Sequence, residues 1–400
     1  MKRKWFAIGI ILFFVGVTIA PTIAQDIEKS QPTSRGNWLY VGGDGPGNYT
    51  MIQDAIDNAS AGDTVFVFDD SSPYYENINI TKVITLKGQN QYTTIIDGRG
   101  ITDVIYITAD YSTITGFSIR NGENPRSENE VAGIKVYAKY VVIHNNTITN
   151  NYFGITIQVS LITAKSYLSV LNNNISNNLN AGIFLPTRYN TVSGNVISNN
   201  SYGIHLLQES DFNTITFNII TTNDNGLILE ESTSNIIQNN IITNNGDYGI
   251  LLRYEDVIGE GKSYRDTANQ NNISKNFISG HTYGIFIQLE CNENRIYRNN
   301  ISGNTWGLYS DISKNSVEEN NFLENSRNAF FKKFRLYTVQ FYHNYWDDWQ
   351  GENWKVITGK VALFHYFTFS HHFEYFWFFL PCKGYDKYPA PEPYDIPGMS

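Results

Sequence analysis

Basic residues and cysteines are scarce in this sequence. Lysine and arginine total 29 against 38 acidic residues, which gives a formal net charge of −9. No extended basic block is present, so a nucleic-acid partner, whose phosphates would have to be neutralised, is not expected. The two cysteines, Cys291 and Cys382, allow one disulfide at most and exclude a disulfide framework. Stability must therefore come from a buried core, which a chain of 400 residues is long enough to form.

The N-terminal segment predicts export. Three basic residues precede the apolar run Trp5–Ala20, and a small residue stands before Gln25. This pattern describes a signal peptide over residues 1–24, and the polar residues 25–35 then form a flexible leader. The run is slightly shorter than the roughly 20 residues of a spanning helix, so an uncleaved anchor is the lesser alternative. We expect a secreted or cell-surface, extracytoplasmic protein with no membrane span in its mature chain.

A repeat of about 22 residues dominates the rest of the chain. The pattern Asn-x-Ile, with Phe322 in the last Ile place, marks Asn146, Asn173, Asn195, Asn218, Asn240, Asn276, Asn299 and Asn320. Glycines followed by Ile or Leu recur in step with it, as in Gly203-Ile204. The short alternating runs between Asn, Gly and Ser are typical of strands joined by tight turns. A period this short fits one coil of three short parallel strands.

The expected fold is all-β: a single-stranded right-handed parallel β-helix of about 11 coils stacked ~4.8 Å apart. Exposed sheet edges invite aggregation, so both ends need covers. Residues 50–59 predict an amphipathic helix as the N-terminal cap, and the aromatic-rich C-terminal segment predicts the other cap. The expected organisation is an N-terminal cap with the first strands over 36–68, repeats over 69–325, and a capping region with a tail over 326–400.

The repeated asparagines are expected to form a structural ladder along one turn of the coils. Asparagine tolerates the left-handed conformation that sharp turns require. Its amide can donate to one neighbouring coil and accept from the other. A buried amide needs such partners, so these side chains should stabilise the stack.

Several segments resemble a known family. Residues 49–56 and 61–65 resemble the N-terminal motif of pectin-lyase-like β-helix proteins. Repeats such as 199–204 are similar to NosD-type repeats, and residues 344–349 and 389–396 resemble the C-terminal segments of archaeal secreted surface proteins of that kind. The family includes carbohydrate-binding modules, polysaccharide lyases, hydrolases, epimerases and an accessory factor for the copper site of nitrous oxide reductase. The resemblance therefore implies the fold and leaves the activity open.

One outward strip is the candidate carbohydrate-binding surface. We call the recurring glycines that precede Ile or Leu the marker glycines. The second and fourth residues after each of them should point outward, because side chains alternate along a strand. Aromatic rings, which can stack on sugar faces, are mixed there with amide, carboxylate and guanidinium groups. The candidates are Tyr137, Phe184, His205, Glu230, Arg253, Phe286, Gln288 and Tyr309. The alternative is an ordinary solvated sheet that loops cover in part.

Candidate catalytic residues fall in the same region. Glu230 and Arg253 stand one coil apart and should face each other, either as a catalytic or uronate-binding pair or as an exposed ion pair worth about 0–1 kcal/mol. An insertion that begins near Glu255 adds that residue and Asp256. Acid–base catalysis needs two carboxylates at a defined distance from each other. The spacing of residues along the sequence does not determine that distance. An enzyme is therefore not the favoured interpretation.

Metal ligands are weakly indicated. His365, His371 and His372 lie close together in sequence, and imidazoles bind copper and zinc. Their spacing matches no strong ligand motif, so no cofactor is predicted, although the resemblance leaves calcium or copper open.

The leading prediction is an exported, monomeric, non-catalytic protein that binds a polysaccharide or surface glycan, or serves in adhesion or envelope structure. The first alternative is a polysaccharide lyase, epimerase or hydrolase that acts on uronate-type glycans. The second, from the resemblance alone, is a NosD-like periplasmic accessory protein of copper-site maturation.

Overall fold

The computed structural model describes residues 36–122, 131–158, 165–254, 267–334, 338–351, 353–369 and 372–396, without the side chains of 364–378. The regular elements of these ranges are one helix, Ile52–Asn58, and 37 strands. The predicted signal peptide and leader lie outside them. Among the described residues, no helix is long and apolar enough to cross a membrane.

The strands lie in three columns, and a full coil contributes one strand to each. The first column contains Trp38–Val41, Thr64–Val67, Thr85–Gly88, Thr113–Thr115, Val142–His144, Ser169–Leu171, Thr191–Ser193, Thr214–Thr216, Ile236–Gln238, Asn272–Ser274, Arg295–Tyr297, Ser316–Glu318 and Gln340–Tyr342. The second contains Ile95–Asp97, Ser118–Arg120, Thr147–Thr149, Asn174–Ser176, Val196–Ser198, Ile219–Thr221, Ile241–Thr243, Phe277–Ser279, Asn300–Ser302, Asn321–Leu323 and Tyr345–Trp346. The third contains Ile78–Ile80, Ile105–Ile107, Ala132–Val136, Phe153–Ile157, Ala181–Leu185, Tyr202–Leu206, Asn225–Glu230, Tyr248–Arg253, Tyr283–Ile287, Trp306–Ser310 and Arg327–Lys333.

Parallel pairing between successive coils is in register, so equivalent residues stack. In the second column Ile197 pairs with Ile220, and Ile220 pairs with Ile242. All three are fully buried, as are the matching aliphatic residues of the other columns. The predicted parallel β-helix is therefore confirmed, with about 12 turns where the sequence indicated 11.

The helix Ile52–Asn58 is slightly shorter than predicted and buries Ile52, Ala55 and Ile56. Its first backbone N–H groups donate to the buried carboxylate of Glu76, from Ile52 at 2.8 Å and from Gln53 at 2.9 Å. A carboxylate at this end also interacts favourably with the helix dipole. Its role as a cover of the first coil stays a prediction.

A long antiparallel hairpin, Lys355–Phe369 with His372–Asp386, forms the C-terminal end. Gly359–Val361 continue the third column, and Asp386 pairs with Phe341 in the first. The hairpin thereby joins these two columns into one 26-stranded sheet, while the second column remains a separate sheet of 11 strands. Only the base of the hairpin pairs with the last coil, and the role of the aromatic segment as the C-terminal cap stays a prediction.

The asparagine ladder lies at the corner between the first and second columns. The Asn195 Oδ1 accepts from the backbone N of Asn173 at 2.9 Å and from its Nδ2 at 3.0 Å. The Asn195 Nδ2 donates to Oδ1 of Asn218 and to the carbonyl of Val170, both at 2.9 Å. All eight predicted asparagines are buried in this ladder, which continues to Asn344.

Two further ladders run along the other corners. They stand five residues after and five residues before the first ladder, a spacing that the sequence already contained. The ladder between the second and third columns contains Asn151, Asn178, Asn200, Asn223, Asn245, His281, Asn304 and Asn325. The ladder before the first column contains Asn190, Asn213, Asn235, Asn271, Asn294 and Asn315.

Replacing Asn195 by alanine is expected to lower the free energy of unfolding by about 1–3 kcal/mol, because buried partners on both neighbouring coils lose a hydrogen bond. Denaturant unfolding measures this loss. The exposed Asn174 provides the matched control, and its replacement by alanine should change stability by less than about 0.5 kcal/mol. Equal stabilities of the two variants would contradict the ladder.

His281 occupies an asparagine position in the second ladder. Its Nδ1 accepts from the backbone N of Asn245 at 3.2 Å, and its Nε2 lies 3.0 Å from the carbonyl oxygen of Ile242. Acceptance of the Asn245 N–H by Nδ1 corresponds to a neutral ring with its proton on Nε2, whereas the Asn245 carbonyl oxygen, 3.0 Å from Nδ1, would accept from a protonated ring. Burial lowers the pKa of His281, although hydrogen bonds to the carbonyls of Asn245 and Ile242 act the other way.

The His281→Asn variant is expected to resist acid better than the parent protein. Because the folded-state pKa of His281 is lowered, the unfolded chain takes up the proton first once the pH falls below the ordinary value of 6.5. His281 therefore costs stability as the medium becomes acidic, and asparagine removes that cost. Unfolding free energies at about pH 7.5 and about pH 5.5 test this. Replacement of the exposed His343 by asparagine is the control. If the His281→Asn variant loses as much unfolding free energy between the two pH values as the parent protein does, the prediction is wrong.

Candidate functional site

The outer face of the third column carries a cluster of three polar side chains. Glu230 and Arg253 are register partners, and the Arg253 Nε donates to Glu230 Oε2 at 2.9 Å. The second guanidinium nitrogen contacts the same oxygen, and the Nε2 of His205 lies 2.8 Å from it. Glu230 and His205 are buried, whereas the Arg253 side chain is 31% exposed. The pair that spacing predicted is thus a buried network and not a solvent-exposed ion pair.

The environment keeps Glu230 ionised. Burial on its own raises the pKa of Glu230, but hydrogen bonds from His205 and Arg253 and the charge of Arg253 outweigh burial and hold the pKa below its ordinary value. A carboxylate held in this state is a poor proton donor. Its main effect is to fix the orientation of Arg253, whose exposed part can still contact an anion.

Six aromatic rings occupy the same face towards the C-terminal end. They are Tyr248, Tyr283, Phe286, Trp306, Tyr309 and Phe330. Neighbouring ring centroids lie between 5.1 Å (Phe286 to Tyr309) and 6.5 Å (Tyr283 to Trp306). All six side chains are partly exposed, and all project from strands of the sheet. We call this group, together with Arg253, Arg327 and Lys332, the aromatic face.

Two cations border the rings. The guanidinium carbon of Arg327 lies 4.4 Å from the Trp306 ring centroid. The Lys332 Nζ is 2.9 Å from an Asp311 carboxylate oxygen and 5.8 Å from the Tyr309 centroid. Each cation is held by a ring or a carboxylate and is partly or fully exposed, so it can interact with a ligand that lies on the rings.

Only Phe286 and Tyr309 of the six rings were among the sequence candidates. Three of the missed rings stand directly before a marker glycine, where strict alternation would point them inward. The alternation breaks at the glycine, because this residue must let the coils approach closely. A Cβ on Gly284 would lie 2.6 Å from the carbonyl oxygen of Gly307. An aromatic residue immediately before the marker glycine was the available signal.

The other candidates are spread more widely. Gln288 is half-buried just after its strand, and Tyr137 is exposed near the N-terminal end of the same column. Phe184 is buried in a small cluster with Ala132, Phe153 and Ala181, so it does not line the aromatic face. The positions of Glu255, Asp256 and His371, and the side chains of His365 and His372, lie outside the described residues.

The described residues do not fit a resident copper or calcium ion. They contain no group of three or more His, Cys, Asp or Glu side chains that could hold a metal. Cys291 is fully buried, and burial raises the pKa of its thiol to about 12. Both ring nitrogens of His281 contact the backbone.

Solved structures with the same fold include two epimerase modules and a tailspike protein. The A-module of the mannuronan C-5 epimerase AlgE6 of Azotobacter vinelandii is 16% identical, with a TM-score of 0.53 over 73% of this chain and 88% of that one. The corresponding module of AlgE4 is 13% identical, with a TM-score of 0.52 over 73% and 89%. The Dettilon tailspike protein is 14% identical, with a TM-score of 0.56 over 83% and 73%. Such low identities show a shared fold alone.

Two family models match parts of the sequence. No curated protein matches it significantly. Residues 39–223 match a model described as a right-handed β-helix region. Residues 161–361, half of the chain, match the model described as periplasmic copper-binding protein (NosD). The protein is therefore a member of the NosD family, with the right-handed parallel β-helix fold.

Proposed function

We propose that this protein is an exported β-helix protein that binds an acidic polysaccharide on the aromatic face without cleaving it. The observation that carries the proposal is the continuous group of partly exposed rings bordered by Arg327 and Lys332, with Arg253 at the end of the strand that carries Tyr248. Rings offer flat apolar surfaces to sugar rings, and guanidinium and ammonium groups bind carboxylates. All of them project from strands or strand ends of a stacked sheet, which presents them without a large ordering cost.

Two further findings support the proposal. Mannuronan, a polysaccharide, is named in the descriptions of two structures that share the fold. The family description names a periplasmic protein, which agrees with the predicted signal peptide and an extracytoplasmic location. The description also names copper, but we propose no copper function, since the described residues supply no fitting ligand group.

Catalysis on uronate-type glycans is the second candidate, and its support is the fold shared with the epimerase modules. The state of Glu230 argues against it, because this buried carboxylate is already bonded to His205 and Arg253. We place Glu230 as a positioning residue for Arg253.

The test is a glycan array combined with product assays on polyuronates. We expect binding to acidic polysaccharides, with neither unsaturated products, new reducing ends nor epimerised residues. Release of such products would replace the binding proposal by the enzymatic one. An array on which no polysaccharide binds, at concentrations up to about 1 mM, would reject both.

A further inference from the structure

The C-terminal end of the stack contains a cavity of about 250 Å³. Three chain segments surround it. They are Phe331 and Lys333 at the end of the third column, residues 338–342 around the last strand of the first column, and residues 383–385 of the returning hairpin strand with Lys387 just after it. The cavity is separate from the aromatic face, because Lys332, which borders that face, does not line it. Ligand pockets for drug-sized molecules measure roughly 300–1,000 Å³, so this one fits a single small group.

The cavity is lined by cations without carboxylate partners. Lys333, Lys383 and Lys387 all contribute to its wall. Within the described ranges, none of them forms an ion pair, whereas Lys332, Lys135 and Lys355 each do. Aspartate and glutamate side chains are likewise missing from the described lining, although the chain as a whole has a net charge of −9.

Like charges around one small space repel each other. A bound anion would relieve the repulsion and accept hydrogen bonds from the ammonium groups. The remaining lining supplies two hydroxyl-bearing rings, Tyr342 and Tyr385, which can contact the body of a sugar.

We infer that this cavity is an oxyanion-binding site, in which Lys333, Lys383 and Lys387 hold the carboxylate of a single acidic sugar residue or a phosphate group. The site is independent of the aromatic face, which binds a polysaccharide chain along the outside of the stack. Its position at the end of the coils suits a terminal or side-chain group, since only one unit fits inside.

Titration calorimetry of the full chain tests the inference with three probes: sodium glucuronate, inorganic phosphate and neutral glucose. We expect at least one of the two anions to bind, with an affinity that falls as salt is added, and glucose not to bind. Binding of glucuronate assigns the site to acidic sugars, and binding of phosphate alone assigns it to phosphate groups. The absence of binding by both anions would overturn the inference.

Variants separate this site from general charge effects. Lys333→Met and Lys383→Met should each weaken anion binding about tenfold, because each removes a charged hydrogen-bond donor and keeps an apolar stem. Lys360→Met is the matched control, since Lys360 is exposed on the same hairpin and lies outside the cavity. An equal effect of Lys360→Met, or no effect of the double Lys333/Lys383 variant, would contradict the assignment. The Trp306→Ala variant should bind the anions with unchanged affinity. The test of this cavity is therefore distinct from the test of the aromatic face.

Discussion

Replacing Asp386 by alanine is expected to lower the free energy of unfolding by about 3–5 kcal/mol, the largest stability effect that the structure predicts. Asp386 is fully buried and ends the first asparagine ladder. Its Oδ2 accepts from the backbone N of Asn344 at 2.9 Å, from the Asn344 Nδ2 at 3.0 Å and from the Trp346 Nε1 at 3.2 Å. Its Oδ1 accepts from the backbone N of His343 at 3.1 Å and of Tyr388 at 3.2 Å. Alanine would leave all these donors without their acceptor.

Two variants make the Asp386 prediction specific. Asp386→Asn keeps one acceptor oxygen for the ladder but turns an amide NH₂ towards other donors, so we expect an intermediate loss of about 1–2 kcal/mol. Asp395→Ala removes an exposed carboxylate from the same tail and should change stability by less than about 0.5 kcal/mol. Denaturant unfolding of the three variants measures their losses of unfolding free energy, which should be largest for Asp386→Ala and smallest for Asp395→Ala. A loss below about 1 kcal/mol for Asp386→Ala would show that the ladder needs no carboxylate at its end.

The Trp306→Ala variant is expected to weaken binding of the array's best polysaccharide by about 30-fold, which corresponds to about 2 kcal/mol. Trp306 contacts Tyr283, Tyr309 and Phe330 and carries Arg327 over its ring. Its removal therefore takes away a stacking surface and also releases the cation beside it. Central aromatic residues of this kind contribute most of the affinity in many interfaces.

The matched control for Trp306 is Phe217→Asn. Phe217 is an aromatic residue that is 62% exposed, at a corner between the first and second columns, and asparagine tolerates its left-handed backbone. We expect unchanged affinity in this variant. Thermal unfolding of both proteins checks that they are folded, and Trp306→Phe, which keeps a ring, should recover most of the affinity. Equal affinities of Trp306→Ala and Phe217→Asn would remove the aromatic face from the proposal.

The fold could be predicted because every coil repeats the same local requirements. An asparagine at the corner and a glycine at the close approach recur with one period, so each coil supports the interpretation of the next. The two extra ladders were predictable as well, since Asn190 and Asn200 stand five residues on either side of Asn195. The C-terminal hairpin was not, because pairs such as Lys355 with Asp386 join distant residues outside the repeat.

The candidate site was only partly predictable. The partnership of Glu230 with Arg253 follows from a spacing of one coil, and the register places them opposite each other. The burial of Glu230 and the contribution of His205 could not be predicted, because they depend on what packs over the strand. Tyr283 and Trp306 were missed for a local reason, namely that strict alternation fails at the glycine which follows each of them.

Hydrogen–deuterium exchange of the protein with and without the array's best polysaccharide tests the central claim most directly. If the aromatic face binds the chain, protection should appear in Tyr248–Arg253, Tyr283–Ile287, Trp306–Ser310 and Arg327–Lys333 of the third column. The second column, for example Val196–Ser198 and Ile219–Thr221, should exchange as before. Protection confined to the first or second column, with the third unchanged, would contradict the account.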